Sequence, residues 1–248
     1  MRVAFGLMPL LVISTVAVAE NPTVIVQRDD SKATIEQGAN TEVEKLEREA
    51  IALIRAKRSA EALPILDAAI AAEDKSHADE KRQIFCSRAM IDALVYAAMG
   101  AKMKRDTLVL GPTWANVLFL KGFVLVDVGR AEDAKPFFDR AIELSPLNAQ
   151  YLAELGEWNK SRKEWTQAFE LFQRASDAAE FAPDDDMKNF EKRRALRGMG
   201  YVLIEQGKLD EAERFYRQCL KLDPSDSIAK AELAYIREQK AKLKTPTS

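Results

Sequence analysis

A single histidine, His77, and two cysteines, Cys86 and Cys219, are the chain's whole stock of imidazole and thiol in 248 residues. That scarcity excludes a multi-histidine or four-cysteine zinc site and a small scaffold stapled by disulfides. An excess of one charge is also missing. The 37 basic and 39 acidic residues leave a net charge of −2, whereas a nucleic-acid partner calls for a basic stripe; none is expected. Glycine and proline are sparse, at ten and nine residues, and no glycine run cradles a phosphate. A Gly-x-Ser-x-Gly elbow is absent, so a serine triad would have neither its turn nor any histidine besides His77. Carboxylates such as Glu211 and Glu213 fall in polar runs that read as solvated helix faces. The acidic run Asp184–Asp186 lacks the alternating ligands and turn glycine of a calcium loop, and instead suits a helix start. No catalytic residue, metal or cofactor is expected. What is present is apolar content of 47%, enough for a packed core and too much for a disordered chain.

Long hydrophobic runs are confined to the start. Val3–Val18 is apolar apart from Ser14 and Thr15, follows Arg2, and ends in Ala17-Val18-Ala19 before Glu20. This is the pattern of a cleaved export signal over residues 1–19; an uncleaved anchor is the alternative, for which the run is short. The chain is therefore expected to be exported, periplasmic in a Gram-negative cell and otherwise secreted, with no stable membrane span after cleavage. Residues 20–42 are polar and unperiodic, with one β-like run at Thr23–Val26, and are read as a flexible tail. A strand added to a partner's sheet is the alternative reading.

The remainder repeats. Leu118–Pro146 and Leu196–Pro224 align without gaps at Gly122/Gly200, Gly129/Gly207, Ala134/Ala212, Phe138/Tyr216 and Pro146/Pro224. Between them, Leu152–Glu180 supplies Gly156, Ala168, Phe172 and Ala175 in the same frame, where Ala141 and Cys219 also fall. Each position has a mechanical role. Gly122, Gly156 and Gly200 leave room for a neighbouring helix. Gly129 and Gly207 sit where the chain must turn. The alanines mark where paired helices press together, the aromatics fill the space between pairs, and the prolines stop the second helix.

This pattern resembles the tetratricopeptide repeat family, whose unit is a helix–turn–helix of about 34 residues. The resemblance covers residues 43–226 as units 43–76, 77–114, 115–148, 149–192 and 193–226. The first has Lys57 at the turn glycine, and the second is degenerate and read as containing one long helix, Glu80–Arg105. The implied fold is an all-α, right-handed superhelical solenoid, closed by a capping helix in residues 227–248, because a solenoid needs its last apolar face covered. Because each repeat touches only its neighbours, Cys86 and Cys219 should not pair within one chain. Cys219 is expected to be buried; Cys86 is either buried or available for an intermolecular disulfide.

The resemblance further implies a concave groove lined by the first helices, receiving a partner protein's peptide or helix. By register it is lined by Asn116, Phe119, Phe123, Val126 and Asp127, then Gln150, Glu157, Lys160 and Ser161, then Arg194, Arg197, Tyr201 and Glu205. Phe119 and Phe123 have a second reading, as internal packing. Glu154 and Glu157 stand where a clamp for a terminal carboxylate needs amide donors, so that specific activity is not carried over. The implied function is a non-enzymatic scaffold or adaptor. An enzyme or metal protein using His77 and groove carboxylates, and a self-associating structural protein forming homo-oligomers, are the alternatives.

Overall fold

The structure, a computed structural model, describes residues 23–28, 31–36, 38 and 40–244; the expected leader over residues 1–19 lies outside them. In chain order the elements are β1 (Thr23–Arg28), β2 (Ser31–Glu36), α1 (Thr41–Arg55), α2 (Ser59–Ser76), β3 (Gln83–Cys86), α3 (Met90–Lys102), β4 (Thr107–Leu110), α4 (Thr113–Asp127), α5 (Ala131–Leu144), α6 (Ala149–Ser161), α7 (Trp165–Ala178), α8 (Asp185–Glu205), α9 (Leu209–Leu222) and α10 (Ser227–Lys244). The helices α1/α2, α4/α5, α6/α7 and α8/α9 form antiparallel pairs that stack in that order, with α10 packed on α9. The stack of pairs is an all-α solenoid.

Local chemistry starts and stops these helices. Side-chain oxygens of Asn40, Asn148, Asp184 and Asp226 accept from the first-turn amides of Glu42, Gln150, Met187 and Ala229 at 3.2, 3.1, 2.7 and 3.0 Å, satisfying donors a helix start leaves unpaired. Two residues past the end of the first helix of each pair the chain takes a left-handed conformation, at Lys57, Gly129, Lys163 and Gly207 (φ 62, 80, 62 and 75°). Glycine's role at the helix contact is equally direct. A Cβ on Gly122, Gly156 or Gly200 would lie 2.7, 2.9 or 2.7 Å from the ring of Phe138, Phe172 or Tyr216. In the first pair the same places hold Ala50 and Leu66, both fully buried: a smaller partner admits a methyl. Ala62, Ala134, Ala168 and Ala212 are likewise fully buried at the crossing of each pair.

Two segments differ from the sequence reading. Residues 77–114 are not a helical pair, and the long helix Glu80–Arg105 does not form. Instead α2 packs directly on α4, and the chain between them makes the excursion β3–α3–β4, a parallel strand–helix–strand unit. The apolar runs Gln83–Cys86 and Thr107–Leu110 are too short for periodicity to separate strand from helix. Asp92 starts α3 anew by accepting the amides of Arg88 and Ala89, both at 2.8 Å.

The expected tail in residues 20–42 also contains order. β1 and β2 form an antiparallel hairpin, and β2 pairs in parallel with β4, giving a sheet of order β1-β2-β4-β3. Val24, Ile35, Val109 and Phe85 lie in one row across it, and with Ala93 and Tyr96 of α3 they build a second core beside that of the solenoid. The strand-forming surface comes from this chain, so neither flexibility nor a partner's sheet is needed to account for Thr23–Val26. Among the described residues, no helix is long and apolar enough to cross a membrane.

Candidate functional site

The first helices of the pairs bring the candidate groove residues together unevenly. On α4, Phe119 and Phe123 are only 3% and 8% exposed. The Phe119 ring stacks on Tyr151 of α6 at 4.7 Å and lies 6.5 Å from Phe123 and 6.0 Å from Phe138. The groove-lining expectation fails for both rings; they are internal packing. The reason is position: α4 is flanked by α1, α2 and α5, and nearly every residue from Thr113 to Leu125 is buried. Asn116 is drawn inward as well. Its Nδ2 donates to Glu47 Oε1 at 2.9 Å, and its Oδ1 accepts the Tyr151 hydroxyl. Burial pushes the Glu47 carboxyl up to about 7 and raises the Tyr151 hydroxyl well above its usual range. Glu47 was not among the expected groove residues, although it occupies the same register as Phe119 and Arg197.

The accessible part of the inner face lies on α6 and α8. Lys160 pairs with Glu157 one turn away and sets its ammonium 4.7 Å from the centre of the Tyr201 ring on α8, a cation–π contact worth roughly 0.5–1 kcal/mol at such a site. Glu154, on α6, is held by Arg194 of α8 at 2.6 Å. Gln150, Glu157, Lys160, Arg194 and Tyr201 are all half-buried, while Val126, Asp127, Ser161 and Glu205 are exposed at the C-terminal ends of their helices. Arg197 does not join this strip: it reaches Asp226 at 3.0 Å, the residue that caps α10. The strip presents an amphipathic ring, Tyr201, beside two ion pairs, Glu157–Lys160 and Glu154–Arg194, which suits an apolar side chain flanked by charge.

Away from the strip, the sheet is tied to the solenoid by polar contacts. Arg88 Nη1, in the β3–α3 connection, pairs with Glu191 Oε1 of α8 at 2.5 Å, and the side chains are 11% and 3% exposed. Burial raises the Glu191 carboxyl against the opposing pull of Arg88. Ser145 Oγ donates to the Cys86 carbonyl, and the Leu147 amide donates to the Tyr96 hydroxyl at 3.1 Å. Cys86 and Cys219 are both free and buried, and burial pushes each thiol up to about 12, which suppresses the reactive thiolate. His77 stacks on Trp114 at 4.9 Å and has Ser76 and Glu73 as its polar partners; these are not the groove carboxylates.

Family models for the tetratricopeptide repeat match residues 115–146 and 147–225, over the segments that show the glycine–aromatic contacts. Residues 115–225 are tetratricopeptide repeats. Among solved structures, this repeat stack is similar to that of PilF from Pseudomonas aeruginosa, at 13% identity and a TM-score of 0.57, covering 82% of this chain and 71% of that one. It is also similar to MamA from Desulfovibrio magneticus, at 15% identity and a TM-score of 0.53, covering 82% and 88%. At such identities the likeness concerns the fold. Among curated proteins, none matches this chain. The repeat models begin at Ala115, immediately after the excursion that interrupts the stack.

Proposed function

We propose that this chain is a non-enzymatic protein-binding module, an exported scaffold or adaptor that receives a peptide or helix of a partner protein on the strip formed by α6 and α8. The observation that carries the reading is the Glu157–Lys160–Tyr201 arrangement. It is a preformed, half-buried surface joining an apolar ring to two opposite charges, and side chains of this kind anchor interfaces while charge sets orientation. The repeat fold supports the class of function, and the site rather than the fold supports its location. Export rests on the apolar Val3–Val18 run and the small residues before Glu20.

Replacing Tyr201→Ala together with Lys160→Ala should abolish the partner cross-linked to the parent chain in intact cells, with the melting temperature changed by no more than a few degrees. Retention of every cross-linked partner by the double variant would remove the strip from the reading while leaving the fold untouched. Intact-mass measurement of protein recovered outside the cytoplasm tests export separately: an N-terminus at Glu20 is expected, and one still at Met1 contradicts cleavage.

A further inference from the structure

Helix α3 is apolar on both sides. Its inner side, with Ala93 and Tyr96, packs on Ile35, Phe85 and Val109 of the sheet. Its outer side presents Met90, Ile91 and Leu94, which are 41%, 52% and 46% exposed, and Met103 just beyond the helix is 44% exposed; Ala98 is exposed between them. A surface helix normally turns a charged stripe to solvent. Here the exposed charges gather at the C-terminal end and are mostly basic, with Asp106 the one exposed acid beside them. From Ala89 to Arg105 the single acid is Asp92, which is 1% exposed and occupied by two backbone amides, whereas Lys102, Lys104 and Arg105 are all exposed. A cleft of about 140 Å³ runs between this helix and the β1–β2 hairpin, lined by Val26, Ala33, Leu94 and Ala98 and bordered by Lys32 and Arg105. Asp106 stands next to this border and accepts the Lys32 amide at 2.9 Å.

We infer that the outer face of α3, with the basic cluster at its C-terminal end, is a docking surface for an anionic phospholipid bilayer. Exposed apolar side chains beside lysine and arginine match the two layers of such a surface, its acyl boundary and its negative headgroups. The charge argument disfavours a second copy of the chain apposed through this face, because each copy would bring the three cations Lys102, Lys104 and Arg105 with only Asp106 beside them to answer. This surface lies on a different element from the α6–α8 strip and stands independently of the protein-binding reading.

The test places an environment-sensitive thiol dye on the full chain at Ile91→Cys, with Gln218→Cys on α9 as the control; Cys86 and Cys219 are buried and stay unlabelled. Vesicles of equal parts phosphatidylglycerol and phosphatidylcholine should shift the dye at position 91 to the blue and leave position 218 unchanged, and pure phosphatidylcholine should give no shift. This local readout is separate from any attachment through the apolar N-terminal run. Adding Lys102→Gln, Lys104→Gln and Arg105→Gln should raise the vesicle concentration for half-maximal shift on the order of 100-fold, and Leu94→Ser should raise it about tenfold. An equal shift on both vesicle types, no shift on either, an unchanged response in the triple variant, or a shift without vesicles that grows with protein concentration would each overturn the inference. The last of these would assign the face to a second copy.

Discussion

Lys57 and Lys163 hold the left-handed turn position that Gly129 and Gly207 fill in the other two pairs. A side chain there crowds the following carbonyl, while glycine avoids the clash at the expense of a more flexible unfolded chain. Lys163→Gly should therefore stabilise the fold by about 0.5–1 kcal/mol, measured by urea denaturation; a loss of stability would show that Lys163 contributes through contacts instead. Glu47 makes the opposite case, a residue whose chemistry is set by its surroundings. Its carboxyl is held at about 7 against an ordinary 4.5, so the folded state retains its proton more tightly than the unfolded chain between those values. The associated stability is complete below about 4.5 and is lost as pH rises through about 7, on the order of 3 kcal/mol. Glu47→Gln keeps an acceptor for Asn116 and removes the titration. The variant should be more stable than the parent at pH 8 and show a flatter pH dependence between 5 and 8; identical slopes would contradict this.

Among the elements, the contrast lies between the repeat pairs and the sheet. The pairs were legible in the sequence because every determinant is local: Gly122 and Phe138, or Gly200 and Tyr216, lie within one unit and meet across one turn. The sheet was not, because β2 finds its partner β4 far along the chain, Ile35 beside Val109, and no periodicity in either run announces the other. Its attachment depends on Arg88 and Glu191, a buried ion pair joining the excursion to α8. Arg88→Ala leaves a buried carboxylate without its cation and should cost about 3–5 kcal/mol, with hydrogen exchange rising first in β3, α3 and the N-terminal half of α8. Arg88→Met combined with Glu191→Leu should recover most of that loss, since two apolar groups leave no charge stranded. A double variant as unstable as the single one would point to a role beyond pairing.

Across the whole molecule, stability is passed between neighbouring pairs, with α10 covering the last apolar face. Ile236 is fully buried in that contact, and Lys240 ties α10 to Asp210 and Glu213 of α9 at 2.6 and 2.5 Å. Ile236→Ala should cost about 2–5 kcal/mol and open α9 and α10 to hydrogen exchange before α4 and α5; uniform loss of protection would mean that the stack unfolds as one unit. The sequence by itself determined the helical pairs within residues 43–76 and 115–226 and their turns, because helix periodicity and small-residue and glycine–aromatic spacing act within tens of residues. Only the tertiary structure decided that residues 77–112 leave the stack to pair with residues 23–36, and that Phe119 and Phe123 are core while Lys160 and Tyr201 remain accessible. Those outcomes depend on which surfaces meet, and strand pairing and burial are properties of neighbours distant in the chain.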